Sequence, residues 1–300
     1  MGIKEIIDSF AAEKNIIAGV CGAEPLDTRP GRAAQADAPF INYTPEQRKA
    51  PGSLLKGAES IVVIGAGYNR ELRFEPDGKP RGYFSLGAVG VDYHITLRAI
   101  LKDLDALLRR KGFVFDSHIS VDTGPLPEKL LAVKAGLGFI GKNGLCISDA
   151  FGSFFNIGYM ITTLRIEPWH STNTESCGEC DRCVMACPGG ALDGVYDFTR
   201  CISYLTQKKE EPGVSERRLM GLCLYGCDIC QKACPYNANT YVGKIESQDY
   251  IAPELSELLA LTKKDFDFKY KSTAIYWRGL ENLKRNAAIA LENYNVEGES

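Results

Sequence analysis

The sequence lacks three features that would point to a membrane or nucleic-acid protein. It has no apolar run of membrane-spanning length, no secretory leader and no excess of positive charge, since its 300 residues carry a net charge of −3. The first absence excludes an integral membrane protein, and the charge balance argues against a globally basic nucleic-acid binder. Helical spacing of apolar residues from Ile3 to Phe10 predicts an amphipathic N-terminal helix instead of a signal peptide. We therefore expect a cytoplasmic protein.

Cysteine, by contrast, is abundant, with eleven residues in the chain. The first cysteine run has the spacing of bacterial ferredoxins and ends in proline: Cys177, Cys180, Cys183, Cys187 and Pro188. A second run repeats its last positions: Cys227, Cys230, Cys234 and Pro235. Zinc ribbons also use cysteine pairs, but a repeated run closed by Cys-Pro is typical of iron–sulfur clusters. A disulfide framework does not fit a chain without a leader.

Ligand counting predicts two clusters but leaves one ligand open. In two-cluster ferredoxins the fourth cysteine of a run binds the other cluster. One cluster is then complete, held by Cys177, Cys180, Cys183 and Cys234. The other has only Cys187, Cys227 and Cys230, because Leu224 stands where a complete second run would place a cysteine.

The candidates for the missing ligand are Cys201, in the intervening segment, and Cys223, one residue out of register. We favour Cys201, because a shift of one residue redirects a side chain whereas a remote cysteine is brought in by the fold. Cys21, Cys146 and Cys223 are then spare, and spare cysteines are usually small buried hydrophobes.

Strand-like and helix-like patterns alternate before the cysteine segment. They predict strands at Ile61–Ala66, His118–Val121 and Gly158–Ile166, a helix with its apolar stripe from Leu97 to Leu108, and a helix from about Pro127 to Lys134. We predict an α+β fold in three parts, with a catalytic domain at residues 1–170, a ferredoxin-like domain at 171–240 and a helical segment at 241–300.

The glycine-rich stretch after the second predicted helix resembles a nucleotide-binding loop only in part. Gly136 to Lys142 fits the front of a P-loop, but Asn143 stands where Ser or Thr must ligate magnesium. We expect these glycines to allow close backbone approach to a large flat ligand, because glycine has no Cβ.

Five blocks, in this order along the chain, resemble the epoxyqueuosine reductase family. They are Val121 to Pro125, Ala135 to Asn143, the four-cysteine run, Arg200 to Thr206 and Tyr225 to Gln231. The resemblance implies a cobalamin-dependent enzyme with two 4Fe-4S clusters, related to reductive dehalogenases, that reduces epoxyqueuosine in the tRNA anticodon loop to queuosine. It also implies a nitroreductase-like cobalamin-binding domain with an inserted two-cluster bacterial-ferredoxin-like domain and a short helical C terminus.

The same resemblance implies roles for individual residues. The proton donor falls on Asp122, which we expect in a dry pocket because a carboxylic acid donates well only when its pKa is raised. Without the resemblance, Asp122 would be interpreted as a turn-capping residue. The implied cobalamin contacts are Arg48, Ser85, Asp122, Cys146, Ile157, Ser203 and Asp228. Electrons are then expected to pass through both clusters to cobalt.

His94 is not expected to be a cobalt ligand. Asp92-Tyr93-His94 resembles the start of the cobalamin motif Asp-x-His-x-x-Gly, but Leu97 replaces its glycine. We interpret His94 as a polar residue at the start of a helix.

The expected partners are tRNA carrying epoxyqueuosine and an external low-potential electron donor, with the protein itself a monomer. Family members continue into helical repeats after the motif Arg285 to Leu291, whereas this chain stops at Ser300. The segment from Lys263 to Arg285 has seven Lys or Arg against three Asp or Glu, which fits either phosphate contacts or a solvated face. Two alternatives stay open: a cobalamin-dependent reductase of another small molecule, and a ferredoxin-like electron carrier.

Overall fold

The structure is a computed structural model that describes residues 2–27, 43–68, 70–71, 77–169, 176–238, 240, 243–244 and 248–298. The α-helices in these ranges are α1 Ile3–Lys14, α2 Tyr93–Arg110, α3 Glu128–Lys134, α4 Arg182–Ala186, α5 Ile202–Leu205, α6 Val214–Met220, α7 Ile229–Lys232, α8 Gln248–Ile251, α9 Leu255–Ala260, α10 Lys263–Tyr270 and α11 Gly279–Gly298. The strands are β1 Ile17–Gly22, β2 Ser60–Gly67, β3 Arg70–Glu71, β4 Tyr83–Phe84, β5 Ser117–Val121, β6 Phe139–Ile140, β7 Cys146–Ile147, β8 Phe155–Thr162, β9 Cys223–Tyr225 and β10 Gly243–Lys244.

The chain divides into two compact units that differ from the predicted domains. The first unit comprises residues 1–67, 94–181 and 235–240, and the second comprises 68–93, 182–234 and 241–300. The predicted boundary at residues 170 and 171 lies outside the described residues, as does residue 241, which follows the second boundary. The three predicted domains therefore stay a prediction.

The first unit is built on a four-stranded antiparallel sheet in the order β1-β2-β8-β5. Ile61, Tyr159 and Ile161 from the sheet share a buried core with Leu131 of α3. Gly158 lies against Leu97 and Leu101 of α2. Four leucines of α2 recur at helical spacing and are fully buried: Leu97, Leu101, Leu104 and Leu108. Because every pairing in this sheet is antiparallel, the unit has the α+β character that the sequence predicts.

The predicted helices and strands of this unit are present, with one strand misplaced. β8 begins three residues before the predicted Gly158 and ends at Thr162 instead of Ile166. After Thr162 the chain turns, because the Thr162 side chain accepts a hydrogen bond from the backbone of Leu164 at 3.1 Å. A side chain that hydrogen-bonds the nearby backbone in this way ends the strand within an apolar run.

β1 was not predicted, since its sequence contains two glycines, which weaken a strand interior. A Cβ at Gly19 would lie 2.0 Å from the carbonyl oxygen of Ala135. The strand therefore uses glycine because the backbone after α3 passes directly over it.

The second unit holds together the helices that carry the cysteine runs. α4 packs on α7, β4 pairs with β9 in parallel, and α11 packs on β9, α6 and α9. Asn286 of α11 is fully buried, and its Nδ2 donates to the carbonyl oxygens of Thr206 at 2.7 Å and Leu224 at 2.8 Å. This amide ties the two cysteine-bearing segments to α11.

Among the helices of the described residues, none combines the length and the apolar character that a bilayer crossing would require.

Candidate functional site

Asp122 lies in a turn directly after β5, in a strained conformation. Its φ of 54° is in the left-handed region, which non-glycine residues seldom adopt and in which aspartate is enriched. The backbone N–H of Thr123 donates to the carbonyl of Val121 at 2.6 Å across this residue. Non-glycine residues held in this conformation cluster at functional sites, as the prediction for Asp122 requires.

The Asp122 carboxylate faces His94, in the first turn of α2. His94 Nε2 lies 3.3 Å from Asp122 Oδ2, which is within ion-pair distance. Sequence reasoning assigned His94 only to a helix start and missed this pairing. The Asp122 side chain is 53% exposed in the protein chain by itself, and a dry pocket formed with the cofactor stays a prediction.

Glu128, at the start of α3, is a partly buried carboxyl of this region. Burial, and secondly the charge of Asp122, raise the pKa of Glu128 to about 8. A carboxyl with such a pKa keeps its proton at neutral pH. Sequence reasoning did not single out Glu128, because an acidic residue in the first turn of a helix ordinarily complements the helix dipole.

Lys129 and Cys146 continue this polar cluster. Lys129 Nζ donates to the carbonyl of Gly144 at 2.7 Å, and burial lowers the pKa of Lys129. Burial also raises the pKa of the Cys146 thiol to about 12, against the smaller opposing effect of Lys129. Cys146 and Ile157, two predicted cobalamin contacts, belong to the same core cluster.

Arg48, another predicted contact, lies in a turn of the same unit. Its backbone N–H donates to Thr44 at 3.1 Å. Tyr43, at the start of this turn, donates its hydroxyl to the carbonyl of Thr123 at 2.9 Å. The structure therefore links the Arg48 segment to the turn that carries Asp122.

At two positions of the glycine-rich loop, glycine makes room for another residue of the same chain. A Cβ at Gly138 would lie 2.0 Å from the Ile147 carbonyl oxygen, and one at Gly141 would lie 2.5 Å from the Ile147 side chain. At these positions the expectation of backbone approach to a flat ligand is wrong, because Ile147 occupies the space. In the same loop, the backbone N–H of Lys142 donates to Cys177 Sγ at 3.3 Å, and a buried Asn143 Nδ2 has no hydrogen-bond partner within the described chain.

In the second unit, Ser85 and Asp228 come together at one turn. The buried Asp228 carboxylate accepts hydrogen bonds from the backbone of Leu86 at 2.6 Å and from Gln231 Nε2 at 3.1 Å. A Cβ at Gly226, whose φ is 75°, would lie 2.3 Å from Ser85 Oγ. Ser203, on α5, accepts from Gln207, and Thr206 of the same segment accepts from the Gly226 backbone at 2.9 Å.

Several cysteines of the second unit influence the titration of their neighbours. Burial, and then the nearby thiols of Cys201, Cys230 and Cys187, raise the pKa of the Tyr196 hydroxyl. Burial, and then Cys227, Cys201 and Cys183, raise the pKa of Cys230. Of these cysteines, Cys187, Cys201, Cys227 and Cys230 are predicted to hold the second cluster, and Cys183 is predicted for the first. The pKa of Cys223 is lowered and that of Cys227 is raised, each chiefly by the other thiol.

Of the first predicted ligand set, Cys177 and Cys180 belong to the first unit, and Cys183 and Cys234 belong to the second. All eleven cysteines are free thiols. No three cysteine, histidine or acidic side chains of the described ranges converge as ligands of a single metal ion. A four-iron cluster spaces its thiolates more widely than a single ion does.

Known proteins match this chain closely. The model of a "4Fe-4S double cluster binding domain" matches residues 176–237, and that of "Epoxyqueuosine reductase QueG, DUF1730" matches residues 48–123. The epoxyqueuosine reductase of Lactococcus garvieae (strain Lg2) is 36% identical over 307 residues, which cover 98% of this chain and 87% of the relative.

Two solved structures of epoxyqueuosine reductases share the fold. The enzyme from Bacillus subtilis, with its catalytic aspartate loop swung out of the active site, has a TM-score of 0.87 and 30% identity, covering 98% of this chain and 82% of the other. A reductase with an epoxyqueuosine-modified tRNA stem loop has a TM-score of 0.87 and 29% identity over the same shares.

The double-cluster domain and the antiparallel sheet of the first unit together define the chain as a two-cluster iron–sulfur protein of mixed helix and sheet. The match to the Lactococcus garvieae protein, at 36% identity over 98% of this chain, then identifies the family. The chain belongs to the epoxyqueuosine reductases.

The raised pKa of Glu128 predicts how the stability of the folded protein depends on pH. The carboxyl has a pKa of about 8 in the folded protein and of about 4.3 in an unfolded chain. Between these values the unfolded chain releases a proton that the folded chain keeps, so the stability of the wild type falls as the pH rises. Replacing Glu128 with Gln should remove this fall and raise the melting temperature at pH 8, measured under anaerobic conditions.

The matched control is Glu59→Gln, which changes an exposed glutamate and should leave the pH dependence unchanged. If the melting temperatures of the wild type and Glu128→Gln changed in the same way from pH 5 to 8, Glu128 would not be protonated in the folded protein.

Proposed function

We propose that this protein reduces epoxyqueuosine to queuosine in the tRNA anticodon loop. The single observation that carries the proposal is the match to an epoxyqueuosine reductase over 98% of this chain and 87% of the relative. A solved reductase of the same fold holds an epoxyqueuosine-modified tRNA stem loop. The reaction removes the epoxide oxygen as water and leaves an alkene, which consumes two electrons and two protons.

The electrons come through two 4Fe-4S clusters, in agreement with the double-cluster domain at residues 176–237. We assign the first to Cys177, Cys180, Cys183 and Cys234 and the second to Cys187, Cys201, Cys227 and Cys230. The grouping of Cys187, Cys201 and Cys230 around Tyr196 supports Cys201 as the fourth ligand of the second cluster. Free thiols suit iron and sulfide chemically.

Cobalamin is the second cofactor, as the family resemblance implies, and it supplies a strongly reducing cobalt when bound. We assign its contacts to Arg48, Ser85, Asp122, Cys146, Ile157, Ser203 and Asp228, in a nitroreductase-like domain. Two observations fit a ligand rich in amide groups. The buried Asn143 Nδ2 lacks a hydrogen-bond partner among the described residues, and burial raises the pKa of the Asp228 carboxyl, which makes it a strong acceptor.

Asp122 donates the proton to the departing epoxide oxygen. His94 Nε2 lies 3.3 Å from its carboxyl, and Glu128, on whose pKa Asp122 acts, retains a proton at neutral pH. The Asp122–Glu128 pair therefore holds a proton at a pH where an isolated exposed carboxyl is ionised. The exposure of Asp122 is compatible with a loop that moves, as the catalytic aspartate loop of the Bacillus subtilis enzyme does.

The external electron donor, the monomeric state and the cytoplasmic location belong to this proposal as well. A ferredoxin-like carrier needs no strained carboxylate paired with a histidine, so the Asp122 turn favours an enzyme.

Turnover of modified tRNA tests the function directly. Anaerobically reconstituted, reduced enzyme should convert an epoxyqueuosine-modified tRNA stem loop to its queuosine form, detected by mass spectrometry of the digested RNA. The free nucleoside in a parallel reaction distinguishes tRNA from a small-molecule substrate. If neither substrate is reduced by protein that carries both cofactors, the assigned reaction is wrong.

Asp122→Asn should reduce turnover by about 10²–10⁴-fold, the usual contribution of a general acid. Asparagine keeps the size of the side chain but cannot donate an acidic proton. Iron and cobalamin contents should equal those of the wild type, and Asp149→Asn, at an exposed aspartate, is the matched control. Unchanged turnover in Asp122→Asn would contradict the role of proton donor.

Cys201→Ser should lose one cluster, about half of the iron, because it removes an assigned ligand. Cys223→Ser should keep all the iron, since Cys223 only contacts a ligand. Iron and sulfide analysis of anaerobically purified protein measures both, and the opposite result would make Cys223 the ligand.

A further inference from the structure

Side chains from two other segments bind the turn that carries Asp122. The Tyr43 hydroxyl donates to the carbonyl oxygen of Thr123 at 2.9 Å, and Arg98 Nη2 donates to the Thr123 hydroxyl oxygen at 3.4 Å. All four residues belong to the first unit. Neither Tyr43 nor Arg98 has a role in the cofactor contacts or the proton transfer assigned above, so these two bonds need another explanation.

Asp122 depends on such contacts because its backbone conformation is unfavourable. Its φ of 54° persists only where surrounding groups hold it. The bond from the Thr123 N–H to the Val121 carbonyl lies within the turn, so it does not fix the direction in which the turn points. That direction depends on bonds to other elements, such as those from Tyr43 and Arg98.

The end of the turn packs on buried groups of the sheet. A Cβ at Gly124 would lie 2.1 Å from Ser120 Oγ and 2.5 Å from the Tyr159 hydroxyl oxygen, and both of these residues are buried. The chain at Gly124 is therefore seated on β5 and β8. Asp122 and Thr123 are exposed, so the bonds from other segments are needed at these two residues.

Tyr43 is suited to this task because the segment that follows it is fixed. The Thr44 N–H donates to Gln47 Oε1 at 2.9 Å, and the Gln47 N–H donates back to Thr44 Oγ1 at 3.3 Å. The Lys49 carbonyl then accepts from the backbone of Leu26, a core residue, at 2.8 Å. The phenol is therefore presented from a segment that the core anchors.

We propose that Tyr43 is a positioning residue that holds the Asp122 turn in the conformation from which its carboxyl donates a proton, with Arg98 as a second contact. The inference rests on the proposed function, because it takes Asp122 as the proton donor. The 3.4 Å bond from Arg98 is longer and weaker than the 2.9 Å bond from Tyr43. Arg48, assigned as a cobalamin contact, belongs to the Tyr43 segment, so this segment contacts the cofactor and also positions the proton donor.

Hydrogen exchange of the reconstituted holoenzyme without substrate tests the hold on the turn directly. Tyr43→Phe removes only the hydroxyl of a residue that is 39% exposed, so the core is unchanged. Backbone amides of the peptide that contains Asp122 and Thr123 should exchange faster by about 3–10-fold, the factor expected for the loss of one hydrogen bond. Arg98→Gln should give a smaller increase, because it removes the weaker bond.

Single-turnover kinetics on the epoxyqueuosine-modified stem loop test the consequence for the reaction. In Tyr43→Phe the rate at saturating substrate should fall by a similar factor. The substrate concentration that gives half of this rate should stay at the wild-type value, as should the iron and cobalamin contents. In the Asp122→Asn background the same substitution should have no further effect, because a residue that acts through the Asp122 carboxyl then has no proton donor to position.

The matched controls are Tyr250→Phe and Arg110→Gln. Tyr250 is 40% exposed, and its hydroxyl also bonds a backbone group, since it accepts from the Gly90 N–H at 3.0 Å. Arg110 is an exposed arginine at the end of α2. Neither substitution should change the exchange of the Asp122 turn or the single-turnover rate.

Unchanged exchange of the turn in Tyr43→Phe would overturn the proposal. So would an unchanged rate at saturating substrate, a loss confined to weaker substrate binding, or an equal further loss in the Asp122→Asn background. None of these results would contradict the proposed reaction, which is tested on the wild type. Full turnover in Asp122→Asn would remove the assigned proton donor and this inference together.

Discussion

Iron–sulfur clusters require thiolates from separate chain segments to meet without being joined in disulfides, and the second unit is organised around this requirement. α4 and α7, which carry one cysteine of each run, pack together, and every cysteine is a free thiol. Five-residue and four-residue helices have little stability of their own. Asn286 compensates by binding the carbonyls of both Thr206 and Leu224, so the long helix α11 supports the short segments that carry Cys201, Cys227 and Cys230.

Sequence patterns predicted the elements that depend on local spacing. The apolar stripe of α2 and the apolar strand β2 are present as expected, because periodicity reports directly on burial. β1 was not predicted because its Gly19 is required by the close approach of Ala135, more than a hundred residues away in the sequence. The prediction that Gly138 and Gly141 allow a flat ligand to approach was wrong for the same reason, since the group that approaches them is Ile147. A glycine shows that something comes close, but its sequence position does not say what.

The site residues show the same difference between features that depend on local sequence and features that depend on contacts between distant residues. Cysteine spacing predicted the cluster segment, in agreement with the double-cluster domain at residues 176–237, because ligand spacing is a local property of the chain. The role of Asp122 came from the family blocks and stays a prediction. His94 and Glu128 were recognised only through the proximity of His94 to Asp122 and the effect of Asp122 on the pKa of Glu128. Each has an ordinary local explanation at a helix start, and the fold alone brings the two starts to one turn.

The C-terminal segment shows why charge counted along a sequence overstates the charge that a nucleic acid meets. Arg285 Nη1 donates to the backbone carbonyls of Lys208 and Glu210, and Lys263 pairs with Asp267. Arg278 stacks over Trp277 at 3.5 Å. Lys264, Lys269 and Lys271 are exposed. Because counterion release depends on cations that reach phosphates, the charge counted along this segment exceeds the charge that it presents to solvent, and Arg285 instead stabilises the fold.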